Sequence, residues 1–251
     1  MKAANAAFNH FKSQSMSNNY FKFKQFTIEQ DGCAMKVGTD GCLLGGWFDC
    51  SGSRHILDIG AGSGLISIMA AQRCNASVTG IEIDKAAAEQ AKTNVGNCPW
   101  SDRIEIANTD ILTYNTGRLF DTIVSNPPYF VNSLKCDGEA RTLARHSDSL
   151  DCNSFFRKIA DLLTADGKVS IVIPCDILGD WKDAAALCGF SASRVTFVKT
   201  TPRKMPKRVL VEFIRAYSCD THTTTMVLED APGAYSKEAQ EILRDFYLKI
   251  L

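Results

Sequence analysis

From His55 onward, the chain alternates short apolar runs with longer segments in which apolar residues recur every three or four positions. The short runs predict buried strands and the longer segments predict helices. Strands are expected at HILDIG, SVTGIE, RIEIANTD, FDTIVSN and KVSIVIP, and helices at LISIMAAQRC, DKAAAEQAKTNV, LDCNSFFRKIADLL and ILGDWKDAAALCGF. Strands that alternate with helices indicate parallel βαβ units wound in the right-handed sense, with helices on both faces of one sheet.

Two antiparallel hairpins are expected outside this alternation. The runs ASRVTFVKT and RVLVEFIRAY, which a basic, proline-containing loop separates, predict one hairpin before the C-terminal helix. Near the N-terminus, apolar and polar residues alternate on both sides of Asp31-Gly32, which predicts a second hairpin with its turn at these two residues. Residues 1–19 are polar, contain lysine and lack periodicity, so they predict a flexible basic arm.

The expected fold is α/β, with a seven-stranded, mostly parallel sheet, an antiparallel C-terminal hairpin and an N-terminal β-hairpin extension. This order of elements resembles that of Rossmann-like methyltransferases. Because the sequence contains no internal repeat and no interdomain linker, residues 20–251 are expected to form one methyltransferase domain. Within it, residues 20–50 are expected to supply the hairpin and a segment that covers the cofactor.

Composition narrows the class of protein. The 251 residues include 28 basic and 28 acidic side chains, 45% hydrophobic residues and ten cysteines. This balance excludes a disordered chain and a uniformly basic one. The cysteines form no C-x-x-C pair, the four histidines have no metal-ligand spacing, and the sequence has no apolar leader or 18-residue apolar run. Reduced cysteines, no metal and a cytoplasmic location are therefore expected.

The first strand of the alternation turns into its helix through Asp58-Ile-Gly60-Ala-Gly62-Ser-Gly64. Glycines at such a turn let a ligand approach the backbone beyond the carboxyl ends of the strands. Dinucleotide-binding turns follow G-x-G-x-x-G, in which the third glycine comes one residue later. The spacing in this chain resembles motif I of S-adenosylmethionine (SAM) methyltransferases. That resemblance implies that Gly60, Gly62 and Gly64 make room for SAM and that Asp58 orients the turn.

The next two predicted strands end at acidic residues. Glu82 lies 22 residues after Gly60, where a carboxylate can accept hydrogen bonds from both hydroxyls of a ribose. Asp110 follows the third strand, where the methyltransferase pattern places an acid near the adenine amino group. Either acid alone could instead cap a helix or lie in a loop. Three features at three successive strand ends favour a SAM site.

The fourth strand runs directly into Asn126-Pro127-Pro128-Tyr129. Two consecutive prolines remove two N–H donors, so the strand must end there. The tetrapeptide resembles motif IV of methyltransferases that act on planar nitrogen atoms conjugated to a ring or an amide. The lone pair of such a nitrogen is delocalised, and hydrogen bonds to the Asn126 side-chain oxygen and the Pro127 carbonyl favour a pyramidal, nucleophilic geometry. Tyr129 is expected to stack on the flat substrate.

The flanking segments help to choose among adenine N6, cytosine N4, guanine N2 and protein glutamine. Four sequence blocks resemble those of the bacterial adenine-N6-methyltransferases that modify valine tRNA just 3′ of the anticodon. They are T-D-G-x-L-L-G from Thr39, NPPY, A-R-H at 144–146 and P-K-R-x-L-V-E from Pro206. The resemblance runs from about Phe21 to the C-terminus. It implies that Thr39 and Asp40 cover the methionine end of SAM and that the target adenine is extruded into the NPPY pocket.

A basic segment is expected to bind the tRNA, and no obligate protein partner is expected. Residues 191–215 contain seven basic residues and one acid, Glu212, and basic side chains bind phosphates. His146 is interpreted as structural, because the reaction needs no general base. Two alternatives stay open: methylation of a protein glutamine or another RNA base, and a non-catalytic factor that binds SAM and RNA. The predicted RNA contacts are Arg203, Lys204, Lys207 and Arg208.

Overall fold

The computed structural model describes residues 19–33, 35–127 and 150–249. The strands in these ranges are β1 (Tyr20–Lys22), β2 (Thr27–Glu29), β3 (His55–Ile59), β4 (Ser77–Glu82), β5 (Ile104–Asn108), β6 (Phe120–Ser125), β7 (Leu163–Pro174), β8 (Phe190–Lys199), β9 (Arg208–Arg215), β10 (His222–Val227), β11 (Glu229–Ala231) and β12 (Ala234–Tyr235). The α-helices are α1 (Thr39–Trp47), α2 (Leu65–Arg73), α3 (Lys85–Gly96), α4 (Cys152–Leu162), α5 (Leu178–Leu187) and α6 (Lys237–Leu243).

Eight of these strands form one sheet in the order β10-β8-β9-β7-β6-β3-β4-β5. Strand β9 runs antiparallel to its neighbours β7 and β8, and the other pairs are parallel. The predicted α/β fold with a mostly parallel sheet and a C-terminal antiparallel pair is confirmed. The sequence pattern predicts seven strands, whereas the edge strand β10 is the eighth. Four of its six residues are exposed, so this threonine-rich strand shows no apolar alternation.

The N-terminal hairpin is present, but its turn lies earlier than the sequence predicts. β1 pairs with β2 in antiparallel register, and the Phe23 N–H donates to the Phe26 carbonyl across the turn (2.9 Å). The prediction of a hairpin turn at Asp31-Gly32 is therefore wrong. Burial decides the register, since Phe23 and Phe26 are buried and their rings stack with centroids 4.5 Å apart. Residues 1–18 of the predicted arm lie outside the described ranges.

Apolar layers cover both faces of the large sheet. Because side chains alternate along a strand, Ile56 of β3 belongs to one layer and Leu57 to the other. The first layer holds α1, α2, α3 and α6 together with the N-terminal hairpin, and the second holds α4 and α5. Phe156 of α4 is central to the second layer, where its ring contacts those of Trp181 and Phe213. The predicted helices on both sheet faces are confirmed.

Four parallel strands end at one edge of the sheet. Ile59 of β3 lies beside Ile81 of β4 and beside Ser125 of β6, and Glu82 of β4 lies beside Asn108 of β5. The loops after these strands therefore open on the same side of the molecule. Ligands of open α/β sheets bind at this edge.

The remaining global properties concern thiols, metals and membranes. The nine cysteines in the described ranges are free thiols. Among the same residues, no cluster of histidine, cysteine and acidic side chains could hold a metal ion. None of the described helices combines the length and apolarity that crossing a membrane requires.

Candidate active site

A cavity of about 750 Å³ opens at the carboxyl edge of β3, β4, β5 and β6. Its walls come from the loops after these strands and from the segment that leads into α1. This volume is typical of sites that enclose a small organic ligand. Of the predicted cofactor residues, Asp58 and Gly64 do not line the cavity. The predicted residues that do line it are Thr39, Asp40, Gly60, Gly62, Glu82, Asp110 and Asn126.

The turn between β3 and α2 brings the backbone to the cavity surface. The N–H groups of Gly60 and Ala61 donate to the Ile81 carbonyl of β4 (2.8 and 2.9 Å). Gly60 and Gly62 have φ angles of 72° and 55°, in the left-handed region that a side chain disfavours. A Cβ built on Gly60 meets no atom within 4 Å. It would therefore project into the cavity and take space from a ligand.

Asp58 and Gly64 support this turn from behind. Asp58 is fully buried, and its Oδ2 accepts a hydrogen bond from the Ser67 hydroxyl of α2 (2.7 Å). Burial raises the pKa of the Asp58 carboxyl to about 7, against the lowering effect of the Ser67 hydrogen bond. Gly64, the N-cap residue of α2, has a φ of 82°, and a Cβ there would lie 3.4 Å from Ala91 of α3. Both residues shape the turn without lining the cavity.

Glu82 connects the turns after β3 and β4. Its Oε2 accepts from the Gly62 N–H (2.8 Å), and its Oε1 accepts from the Asp84 N–H (2.9 Å). The Asn108 side chain of β5 donates to the carbonyls of Glu82 and Ile83. These bonds fix the carboxylate at the strand end. Each of its oxygens keeps a second lone pair that can accept a ligand hydroxyl.

Asp110 lines the cavity together with apolar side chains that the sequence pattern did not indicate. Its Oδ1 accepts from the Leu112 N–H (2.9 Å). Met35, Ile83 and Leu112 line the cavity and are 61%, 67% and 45% exposed, although each is apolar. Exposed apolar groups around a cavity favour a flat, apolar ligand surface. Two of these apolar residues could have been found from the sequence, because Ile83 directly follows Glu82 and Leu112 follows Asp110 by two positions.

The charged groups of the cavity are mostly acidic. Asp40, Glu82, Asp84 and Asp110 line it, and Lys36 is the basic residue among the described lining residues. A dinucleotide would bring phosphates close to these carboxylates, which is unfavourable. SAM has no phosphate, and its sulfonium and ammonium cations outnumber its single carboxylate, so its net charge is positive. The residues present therefore fit SAM and do not fit a phosphate-rich nucleotide.

Asn126 lies where β6 meets the cavity, beside the first turn of α1. The Ser125 hydroxyl donates to the Ile59 carbonyl (2.8 Å), which fixes the end of β6 next to β3. A Cβ built on Gly41 of α1 lies 3.8 Å from Nδ2 of Asn126. Pro127 is buried and also lines the cavity. The roles of the following residues stay predictions, since they lie outside the described ranges: Pro128, Tyr129 and His146.

The loop between β8 and β9 is at the same sheet edge as the cavity. The register places Arg208, the first residue of β9, opposite Pro174 at the carboxyl end of the parallel strand β7. Arg203, Lys204 and Lys207 are exposed in this loop. Their charges are therefore accessible to a polyanion that approaches this edge of the sheet.

Other basic residues of the segment 191–215 bind the protein itself. Arg194 packs its guanidinium over the Trp47 ring (3.7 Å to the centroid) and pairs with Glu212 at 3.2 Å. Arg215 donates hydrogen bonds to backbone carbonyls at the end of α4. Counting basic residues along the sequence therefore overstates the charge that this segment presents to a partner.

The chain matches the family model "Methyltransferase small domain" over residues 36–177. A Phocaeicola vulgatus protein named tRNA1(Val) (adenine(37)-N6)-methyltransferase is 48% identical, over 94% of this chain and 100% of its own length. A protein of the same name from Trichodesmium erythraeum is 40% identical, over 93% of this chain and 100% of its own length.

Solved structures of low sequence identity share the fold. A predicted O-methyltransferase from Agrobacterium tumefaciens superposes with a TM-score of 0.61 at 19% identity, over 85% of this chain and 99% of that protein. A glycopeptide N-methyltransferase in complex with SAM superposes with a TM-score of 0.53 at 13% identity, over 71% of this chain and 99% of that one. Both similarities concern the architecture of the α/β sheet.

Proposed function

Because this chain belongs to the tRNA1(Val) (adenine(37)-N6)-methyltransferase family, we propose that it methylates the exocyclic N6 of the adenine on the 3′ side of the anticodon in valine tRNA, with SAM as the methyl donor. One observation carries the assignment of the active site. Asn126 and Pro127, which can accept hydrogen bonds from an amino group, line the same cavity as the glycine turn and Glu82.

The cofactor site consists of groups from three strand ends and α1. Glu82 accepts hydrogen bonds from the ribose hydroxyls, and Asp110 accepts one from the adenine amino group. The open space at Gly60 and Gly62 admits the nucleoside, while Thr39 and Asp40 cover the methionine end. When bound, SAM supplies an electrophilic methyl group.

Asn126 and Pro127 prepare the acceptor nitrogen. The Asn126 side-chain oxygen and the Pro127 carbonyl accept the two N–H hydrogens of the adenine amino group. These bonds oppose delocalisation of the lone pair into the ring and direct it toward the methyl group. The nitrogen becomes acidic only as it is alkylated, so its proton can pass to water without a strong general base. Tyr129, which lies outside the described ranges, supplies a stacking surface for the extruded base.

The tRNA is held through its phosphates by the exposed basic residues of the β8–β9 loop. Arg203, Lys204 and Lys207 lie at the cavity edge of the sheet, so an anticodon stem-loop bound there places one of its bases near Asn126. An adenine in a loop costs little to unstack and extrude. The single domain of residues 20–251 provides both binding regions.

Nucleoside analysis tests this function directly. The purified protein is incubated with methyl-labelled SAM and a valine tRNA transcript, and the digested tRNA is examined by mass spectrometry. Label is expected in N6-methyladenosine. A matched transcript with guanine in place of the adenine 3′ of the anticodon is expected to stay unlabelled. Label in another nucleoside, in added protein, or in no product would contradict the proposal.

A further inference from the structure

An ion pair joins the basic loop to the wall of the cofactor cavity. Nε of Arg208 lies 2.7 Å from Oδ2 of Asp40, and the two side chains are 36% and 30% exposed. Arg208 is the first residue of β9 and directly follows the basic loop, whereas Asp40 lies in the first turn of α1 and lines the cavity. The two residues are 168 positions apart in the sequence. The contact therefore exists only because of the tertiary fold.

This pairing separates Arg208 from the other predicted RNA contacts. Arg203, Lys204 and Lys207 are exposed, but the guanidinium of Arg208 is directed at a carboxylate within the protein. A charge-assisted hydrogen bond of this length is stronger than a neutral one, although solvent screens a pair that is about one third exposed, and the carboxylate offsets the positive charge that a phosphate would meet. A second donor of the same guanidinium, Nη1, bonds to the Lys207 carbonyl (3.2 Å) and fixes the end of the loop.

The start of α1, like the starts of α2 and α5, has no side-chain cap. Its N-cap residue is Gly38, which provides no side-chain hydrogen bond to the exposed N–H groups of the first turn. By contrast, Asp84 and Ser236 cap α3 and α6 through their side chains. A glycine cap is only slightly weaker than a polar one, so an added contact at the first turn supplements it. The Arg208–Asp40 pair anchors this turn from β9.

The first turn of α1 is also adjacent to the proposed reaction centre. A Cβ built on Gly41 lies 3.8 Å from Nδ2 of Asn126 and 3.3 Å from the Leu65 side chain. The first turn of α1 therefore lies between Leu65 of α2 and the Asn126 amide. A displacement of this turn moves Thr39 and Asp40 relative to the cavity and changes the packing around Asn126.

We propose that Arg208 is a positioning residue that acts through Asp40 to hold the first turn of α1 over the cofactor cavity beside Asn126, and that it is not a phosphate contact. The effect of Arg208 on the rate of methyl transfer rests on the proposed function. Its effect on SAM affinity does not depend on which molecule accepts the methyl group.

The test is a double-mutant cycle with Arg208→Gln, Asp40→Asn and the double variant, and SAM affinity is measured by calorimetry without tRNA. Arg208→Gln is expected to weaken SAM binding about threefold to tenfold, within the range of effects for residues that act on a site indirectly. The double variant is expected to bind SAM no more weakly than Asp40→Asn alone, because the proposed effect of Arg208 on the cavity passes through that carboxylate. Lys92→Gln, in a solvent-exposed pair with Glu89 on α3, is the control for loss of one positive charge.

A second arm measures tRNA affinity as a function of salt concentration. Arg203→Gln is expected to reduce the slope of log affinity against log salt by about 0.7, the effect of one lost phosphate contact to a single strand, and Arg208→Gln is expected to leave it unchanged. Arg208→Lys keeps the charge but cannot reproduce the guanidinium geometry. It is expected to retain the wild-type salt slope and to share the SAM defect of Arg208→Gln. Thermal melting checks that every variant is folded.

The rate of a single turnover at saturating SAM and tRNA completes the test. Arg208→Gln is expected to lower this rate about tenfold to a hundredfold, since small misplacements near a reaction centre are costly. Additive losses of SAM affinity in the cycle, or a reduced salt slope with wild-type SAM affinity, would overturn the proposal. If the wild-type protein methylates no tRNA, the proposed function fails, but the SAM cycle still decides the role of Arg208.

Discussion

At the scale of single residues, Asn126 has the most direct role in the proposed chemistry. Its side-chain oxygen is the acceptor that holds the amino group in a reactive geometry, and its neighbour Ser125 anchors the strand end. Asn126→Ala is expected to lower the single-turnover rate about a hundredfold or more, the usual effect of removing one group that stabilises a transition state. SAM affinity, measured by calorimetry, is expected to change by less than a factor of about three, since most of the cofactor site is untouched.

Asn126→Asp is the matched comparison for this prediction. The carboxylate keeps an acceptor at the same position, so this variant is expected to be faster than Asn126→Ala. Near-wild-type methylation by Asn126→Ala would show that the acceptor oxygen has no part in the reaction.

Asp58 provides a residue-scale prediction about pH. Burial raises the pKa of its carboxyl to about 7 in the folded chain, compared with about 3.9 in an unfolded one. Between about pH 4 and pH 7 the folded state therefore holds a proton that the unfolded state releases, so the free energy of unfolding falls as the pH rises. Asp58→Asn removes this titration. From pH 5 to pH 8, the melting temperature of the wild type is expected to fall more steeply than that of the variant.

The size of this effect has an upper bound. A shift of about three pKa units corresponds to at most about 4 kcal/mol at pH 8. Asp102→Asn, at an exposed position before β5, controls for the general effect of removing a carboxylate. Melting curves of wild type and Asp58→Asn that respond equally to pH would contradict the assigned titration.

At the scale of elements, the turn between β3 and α2 can be tested against an equivalent turn elsewhere. Gly60 and Gly52 both have a φ of 72°, and a Cβ built on either meets no atom within 4 Å. Of these two glycines, Gly60 lines the cavity and Gly52 does not. Gly60→Ala and Gly52→Ala are therefore expected to lose similar stability, about 1 kcal/mol each, from the strained backbone.

Ligand binding is expected to distinguish the two variants. The new methyl group of Gly60→Ala occupies cavity space, so SAM affinity is expected to fall at least about tenfold, whereas Gly52→Ala is expected to bind like the wild type. Chemical denaturation measures the stability and calorimetry measures the affinity. Equal SAM affinity in both variants would show that the Gly60 backbone is not a contact surface for the cofactor.

The elements also show what a sequence can predict. The placement of the glycine turn, Glu82, Asp110 and Asn126-Pro127 around one cavity was predictable, because each is a local motif at the end of an apolar strand. Strand β10 was not predictable, because a threonine-rich strand at the sheet edge can form its backbone hydrogen bonds without an apolar face. The hairpin turn was misplaced, because Phe23 and Phe26 are buried against the distant rings of Tyr247 and Trp100, which outweighs a favourable Asp-Gly pair.

Side-chain partners were the least predictable feature of the candidate site. Arg194, Arg208 and Arg215 belong to one basic segment of the sequence, yet each is directed at a different part of the folded chain. Which arginine remains available to a phosphate depends on contacts across more than fifty residues. Charge counted along the chain therefore predicts that RNA binding is possible without identifying the residues that perform it.

At the scale of the whole molecule, a net charge of zero conceals a separation of charges. Most of the charged side chains that line the cavity are carboxylates, and the exposed lysines and arginine of the β8–β9 loop lie at the same sheet edge. A cationic cofactor and a polyanionic RNA can thus bind near one another, each facing charges of opposite sign. The Arg208–Asp40 pair lies between the acidic cavity and the basic loop.

This separation predicts which ligands stabilise the folded chain. SAM at about one hundred times its dissociation constant adds about 2.7 kcal/mol to the free energy of unfolding, which raises the melting temperature of a chain of this size by about 5–10 °C. NAD⁺ also contains an adenosine, but its phosphates would lie among Asp40, Glu82 and Asp84. At the same concentration as SAM, it is therefore expected to leave the melting temperature unchanged. Thermal melts with each ligand, at low salt so that charge effects are not screened, compare the two. A shift with NAD⁺ that equals or exceeds the shift with SAM would mean that the carboxylates do not govern the choice of ligand.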